Sequence, residues 1–138
     1  MTDRASCAVA LIIDQDLGFL MWLGELFTEL GYQSVPALRC REALALATRL
    51  KLPITTVVIN PELRGARRLV KILLAANPDV RVVLIVDSAD HQSFTPPSPD
   101  SIQSRFTLER PAPWEPISRW EWMAKVRKTL SMAAGRPS

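Results

Sequence analysis

The side chains that could do chemistry are few, and most stand at the ends of apolar runs. The stretch "AVALIID" (residues 8–14) is almost continuously apolar and ends in Asp14, with Gln15 and Asp16 directly after it. Clustered carboxylates repel one another unless a cation lies among them. The stretch "TTVVINPEL" (residues 55–63) brings the β-prone residues Thr56, Val57, Val58 and Ile59 straight into Asn60-Pro61. It reads as a buried strand with a polar tip, and Asn-Pro is also an ordinary turn starter. A third apolar run, "VRVVLIVD", ends in Val86 and Asp87. The one histidine, His91, sits in a polar segment, so catalysis or metal binding through imidazole has almost nothing to use. Cys7 and Cys40 are far apart and lack zinc-type spacing, which reads as two thiols in a reducing compartment. There is no G-x-G-x-x-G and no Walker loop.

These residues are carried by a chain of 138 residues, a length that suits one domain with one core. The expected domain is 1–138, with the core at about residues 7–132 and a frayed tail at 133–138. Apolar residues make up 48% and charged residues 22%, ordinary for a soluble globular protein. The net charge is +3 and the pI about 9.2, with Lys and Arg scattered along the sequence, so a nucleic-acid surface is not indicated. No leader-type N-terminus and no apolar run of membrane-spanning length is visible, and a cytoplasmic protein is expected.

The elements that must position the candidate residues alternate. After the strand ending in Asp14, Asp16 is placed to cap a helix whose Leu20, Leu23, Phe27 and Leu30 share a face. Gly31 is placed to end it. "YQSVPA" is a short strand that Pro36 assigns to a sheet edge. "CREALALATRL" follows as a helix with Ala43, Leu44, Ala47 and Leu50 inward. The strand ending at Asn60 comes next, then the helix "GARRLVKILLAAN" with Leu69, Leu73 and Ala76 inward, then the strand ending at Asp87. Strict alternation with short connections implies right-handed crossovers and a parallel sheet covered by helices. Residues 88–106 break the pattern, because Pro96, Pro97 and Pro99 exclude a long helix, although a short turn of helix is expected near Asp100. "SRFTLE" is a fifth strand, and "RWEWMAKVRKTLSMA" a last helix burying Trp122, Met123, Val126 and Leu130.

In order and motif the chain resembles the receiver domain of two-component response regulators. The resemblance runs through "ALIIDQD", "ELGYQSVPALRCREALALA", "NPDVRVVLIV" and "LERP", and so covers nearly the whole chain. It implies an α/β, flavodoxin-like (βα)5 three-layer sandwich, with a five-stranded parallel sheet of order 2-1-3-4-5 and an irregular region where the family has its fourth helix. In that family an aspartate at the third strand tip accepts a phosphoryl group. Two acids after the first strand hold Mg²⁺, a Thr or Ser follows the fourth strand, and a Lys before a proline follows the fifth. Carried onto this sequence, the acceptor is Asn60, the acids are Asp14 and Gln15, the hydroxyl position is Val86 and the Lys position is Arg110. Four of the five differ from the family pattern. An amide has no anionic oxygen to attack phosphorus, and Val86 cannot donate a hydrogen bond.

The resemblance therefore implies a degenerate pseudo-receiver, not an enzyme, that works by protein contact without aspartyl phosphorylation. Mg²⁺ binding is expected to be weak or absent, with Arg110 balancing Asp14 and Asp16 in the vestigial pocket. Its expected partner is a histidine kinase, a phosphotransfer protein or another regulator, with a homodimer as a further mode. A membrane partner is not expected. Met21 and Trp22 on the first helix and Trp120 on the last lie off the inward faces and form the candidate interaction surface; the alternative is that the rings cover the core edge. Two other functions stay open: phosphotransfer through Asp14, Asp16 or Asp87, and binding of a small ligand at the carboxyl ends of the strands.

Overall fold

A computed structural model describes residues 8–50, 53–87, 105–110 and 119–134. Five strands form one parallel sheet in the order β2-β1-β3-β4-β5. In chain order the elements are β1 (Val9–Ile13), α1 (Leu17–Glu29), β2 (Gln33–Ala37), α2 (Cys40–Leu50), β3 (Ile54–Ile59), α3 (Ala66–Ala76), β4 (Arg81–Asp87), β5 (Arg105–Arg110) and α4 (Arg119–Ala134). The expected flavodoxin-like architecture is thus the observed one. The proline-rich segment, its expected helical turn near Asp100, Cys7, His91 and Trp114 lie outside the described residues.

Alternation along the strands divides the core into two layers. Leu11, Ile13, Val57, Ile59, Val82 and Leu84 meet Ala43 of α2 and Leu69, Val70 and Leu73 of α3. Ala10, Ile12, Val58, Val83, Ile85 and Leu108 meet the other two helices through Leu23, Phe27, Trp122 and Val126. The central strands are buried on both faces, which is why β1, β3 and β4 read as unbroken apolar runs rather than alternating ones.

Helix α1 begins where Asp16 Oδ1 accepts from the Phe19 backbone N–H at 3.1 Å, and ends at Gly31, whose φ of 98° is open to glycine without strain. The Gly24 carbonyl accepts from both Thr28 Oγ1 and Ser34 Oγ, each at 2.9 Å, and so ties α1 to β2. Pro36 sits on β2, an edge strand, as its missing N–H requires. Some expected inward positions are less buried than their spacing suggests. Ala76 at the end of α3 is exposed, while Leu30, Leu44 and Ala47 are half-buried. Val70 and Ala66 complete the buried face of α3 instead. Helix α4 also continues to Ala134, past the start of the expected tail. Among the described residues no helix is long and apolar enough to cross a membrane.

Candidate functional site

The carboxyl ends of β1 and β3 lie side by side in the centre of the sheet. The Asn60 backbone N–H donates to the Ile13 carbonyl at 3.1 Å, which carries the ladder one residue past both strands and sets Asn60 beside Asp14. Both side chains are buried, Asp14 completely and Asn60 with 9% exposure. Asn60 Nδ2 donates to Asp14 Oδ1 at 3.5 Å, and the same carboxylate oxygen accepts from the Asp16 backbone N–H at 3.3 Å. Asn60 Oδ1 accepts from the Glu62 backbone N–H at 2.9 Å, closing an Asx turn at the start of the β3–α3 loop. The amide uses its donor on one side and its acceptor on the other. A carboxylate could keep only the second contact.

The remaining candidates are not drawn into this pair. Asp16 is exposed and its Oδ1 caps α1. Gln15 is exposed and faces the cleft between α2 and α3. Val86 is buried, but in β4 it is Val83 and Ile85 that share the core layer of Ile12 and Val58. Alternation therefore gives Val86 to the sheet face opposite Asn60 and Asp14. Asp87 closes β4 in register with Arg110, the last residue of β5. Arg110 thus reaches the same end of the sheet as Asp14 and Asn60, through its backbone position.

Among the described residues no group of three His, Cys, Asp or Glu side chains is placed to hold a metal ion. Asp16 is committed to the helix cap, and Asp14 Oδ1 faces two N–H donors. A divalent cation needs carboxylate oxygens turned toward it.

On the expected interaction surface, Met21 is 53% and Trp120 78% exposed. Trp22 differs: it is half-buried, its ring 5.2 Å from Trp122 and 6.2 Å from Phe19. Its place at the α1–α4 seam explains this, since the large Trp122 ring from α4 fills the space beside it.

Sequence reading missed a set of arginines. Arg39 and Arg41 after β2, and Arg64 and Arg68 after β3, are separate in the chain but wall one cleft between α2 and α3. "ALRCRE" and "ELRGARR" follow β2 and β3, which flank β1, and each opens a helix that packs on the same face of the sheet, so the starts of α2 and α3 come together. Cys40, buried in the same wall, is a free thiol, and burial pushes its pKa up from the ordinary cysteine value. It therefore lines the cleft as a small apolar group rather than as a thiolate.

With the sheet order and strand-tip geometry in place, comparison with solved structures gives the class of fold. The chain has the fold of response-regulator receiver domains. It is similar to a response regulator receiver protein from Sinorhizobium medicae, with a TM-score of 0.67 and 14% identity over 92% of this chain and 94% of that one. A CheY-like receiver domain from Methylobacillus flagellatus matches with a TM-score of 0.66 and 19% identity over 91% of this chain and 98% of that one. A chain in the complex of histidine kinase ThkA with response regulator protein TrrA matches with a TM-score of 0.60 and 19% identity, over 90% of this chain and 99% of that one. No protein-family model matches the chain, and no curated protein matches it in sequence.

Proposed function

We propose that the chain is an atypical receiver-like signalling module of a two-component or phosphorelay-type system, acting by protein–protein contact without aspartyl phosphorylation. One observation carries this reading. The position that would attack phosphorus is an amide, and that amide is engaged on both sides, by Asp14 and by the Glu62 N–H. Two other acids near the strand tips are poor substitutes. Asp14 is fully buried beside that amide, and Asp16 is held at the helix cap. In-line phosphoryl transfer needs an accessible acceptor beside its stabilising cation.

In this reading the module catalyses nothing and needs no Mg²⁺, and Arg110 supplies the positive charge at the strand tips. Its partner is a protein such as a histidine kinase or another regulator. The pairing of ThkA with TrrA, a complex whose matching chain shares this fold, supports a partner of that kind. Exposed Met21 and Trp120 are the side chains offered to it. The free thiol of Cys40 accords with a reducing cytoplasm. Affinity capture from the native cell, with size-exclusion mass measurement alongside, tests the reading. Recovery of a signalling protein that depends on Trp120 supports it. A stable phosphoryl adduct on the chain after incubation with acetyl phosphate and Mg²⁺ overturns it.

A further inference from the structure

The cleft between α2 and α3 is a built cavity with a defined polarity. Its volume of about 900 Å³ lies within the range of roughly 300–1,000 Å³ common to small-molecule sites. One end is walled by Arg39, Arg41, Arg64 and Arg68, and among the described residues no carboxylate lines it. Among the described residues, no side-chain hydrogen bond or ion pair engages any of the four guanidinium groups. Four like charges gathered without an acid favour an anion, and guanidinium forks match carboxylate and phosphate oxygens.

The floor is apolar. Leu44 of α2 and Ile72 of α3 line this cleft and also a second, adjoining one of about 360 Å³, whose other walls include Ala47, Ile54, Leu73 and Val80. Among the described residues, no charged side chain lines the second cleft. The two meet at Leu44 and Ile72, along the seam between helices of 11 residues each, a length of about 16 Å. The groove is cationic at one end and apolar at the other. A bare phosphate would leave the apolar half unused, and an extended nucleic-acid backbone would need cations along the whole length. Ile72 is exposed here, an apolar side chain that an occupant would cover.

We propose that this groove binds a free, single-chain anionic amphiphile. Its carboxylate or phosphate head lies among the four arginines, and its hydrocarbon chain runs over Leu44 and Ile72 toward Ile54. The site is independent of the strand-tip reading, since none of its contacts requires Asn60 to be inert. Gln15 lines the same cleft, between Asp14 and Asp16 in sequence, so occupancy would be felt at the β1–α1 turn.

Calorimetric titration with dodecyl phosphate below its micelle-forming concentration, with amide NMR mapping, tests the proposal. The expected result is saturable binding of one ligand per chain, with shifts centred on Leu44 and Ile72. Dodecanol and inorganic phosphate should each bind at least about tenfold more weakly, because each lacks one half of the match. The double variant Arg64→Gln/Arg68→Gln should weaken binding by about tenfold or more, since two charge-assisted contacts are lost. Ile72→Glu should abolish it. All three positions are exposed, so the variants should keep the wild-type unfolding midpoint. Equal binding of inorganic phosphate or of dodecanol overturns the proposal. So does dodecyl phosphate binding that ignores the variants, or association only with vesicles of anionic phospholipid.

Discussion

Replacing Asn60 with Asp puts a second carboxylate where the amide now donates to Asp14. The two side chains have the same shape, so a carboxylate oxygen would take the Nδ2 position, 3.5 Å from Asp14 Oδ1. Two unit charges at that separation repel by about 5 kcal/mol at an effective dielectric of about 20. Protonation limits the cost, because keeping a proton at pH 7 on an acid of ordinary value about 3.9 takes about 4 kcal/mol. Rotation of the side chain toward its small exposed edge reduces it further. The expected loss at pH 7 is about 2–4 kcal/mol. The sign with pH follows from linkage. The carboxyl at position 60 would hold its proton in the fold at a pH where the unfolded chain has lost it. The folded state then binds more protons, so the loss grows as pH rises above the ordinary Asp value and shrinks as pH falls toward it. Urea unfolding at about pH 5 and about pH 7 reads this directly, with Asn60→Ala as a control that loses two hydrogen bonds, about 1–2 kcal/mol, at both values. An Asn60→Asp protein within about 0.5 kcal/mol of wild type at pH 7 without divalent cation would refute the reasoning. It would mean that a cation already neutralises Asp14. Asn60→Asp alone should also fail to restore phosphorylation.

Other consequences are smaller. Asp16→Ala removes the α1 cap and should cost about 1 kcal/mol in urea unfolding, with no further change if the buffer contains Mg²⁺. Trp22→Ser should cost about 2 kcal/mol because it strips a half-buried ring from Trp122 and Phe19, whereas Trp120→Ser should stay within about 0.5 kcal/mol of wild type. Loss of association in Trp120→Ser would therefore report a surface, and no change in association state or partner capture would remove Trp120 from it. Cys40, with its pKa raised by burial, should alkylate far more slowly in the native protein than in urea at mildly alkaline pH; equal rates, read by peptide mass, would contradict its buried placement.

The sheet was legible because its central strands are buried on both faces and so stand out as apolar runs, and because Asp16, Gly31 and Pro36 punctuate the chain with known backbone demands. The Asp14–Asn60 pair was legible too, since each ends a strand and neighbouring parallel strands bring their tips together. The face taken by Val86 was not legible because a run that is apolar on every residue hides its phase; only the register with β3 and the core layers show which face each residue takes. Trp22 lies off the helical stripe, yet its ring is covered by Trp122 from an element nearly a hundred residues away. The arginine cleft was invisible for the same reason. Its members are scattered in sequence, and only the adjacency of the β2–α2 and β3–α3 loops gathers them.

The central claim is that the strand-tip site no longer accepts a phosphoryl group. Intact-mass measurement after incubation with acetyl phosphate and Mg²⁺ tests it most directly. The account predicts an unmodified mass for the wild-type chain, alongside full modification of an ordinary receiver domain in the same tube. A phosphoryl adduct that hydroxylamine removes, mapped to Asp14, Asp16 or Asp87, would contradict it.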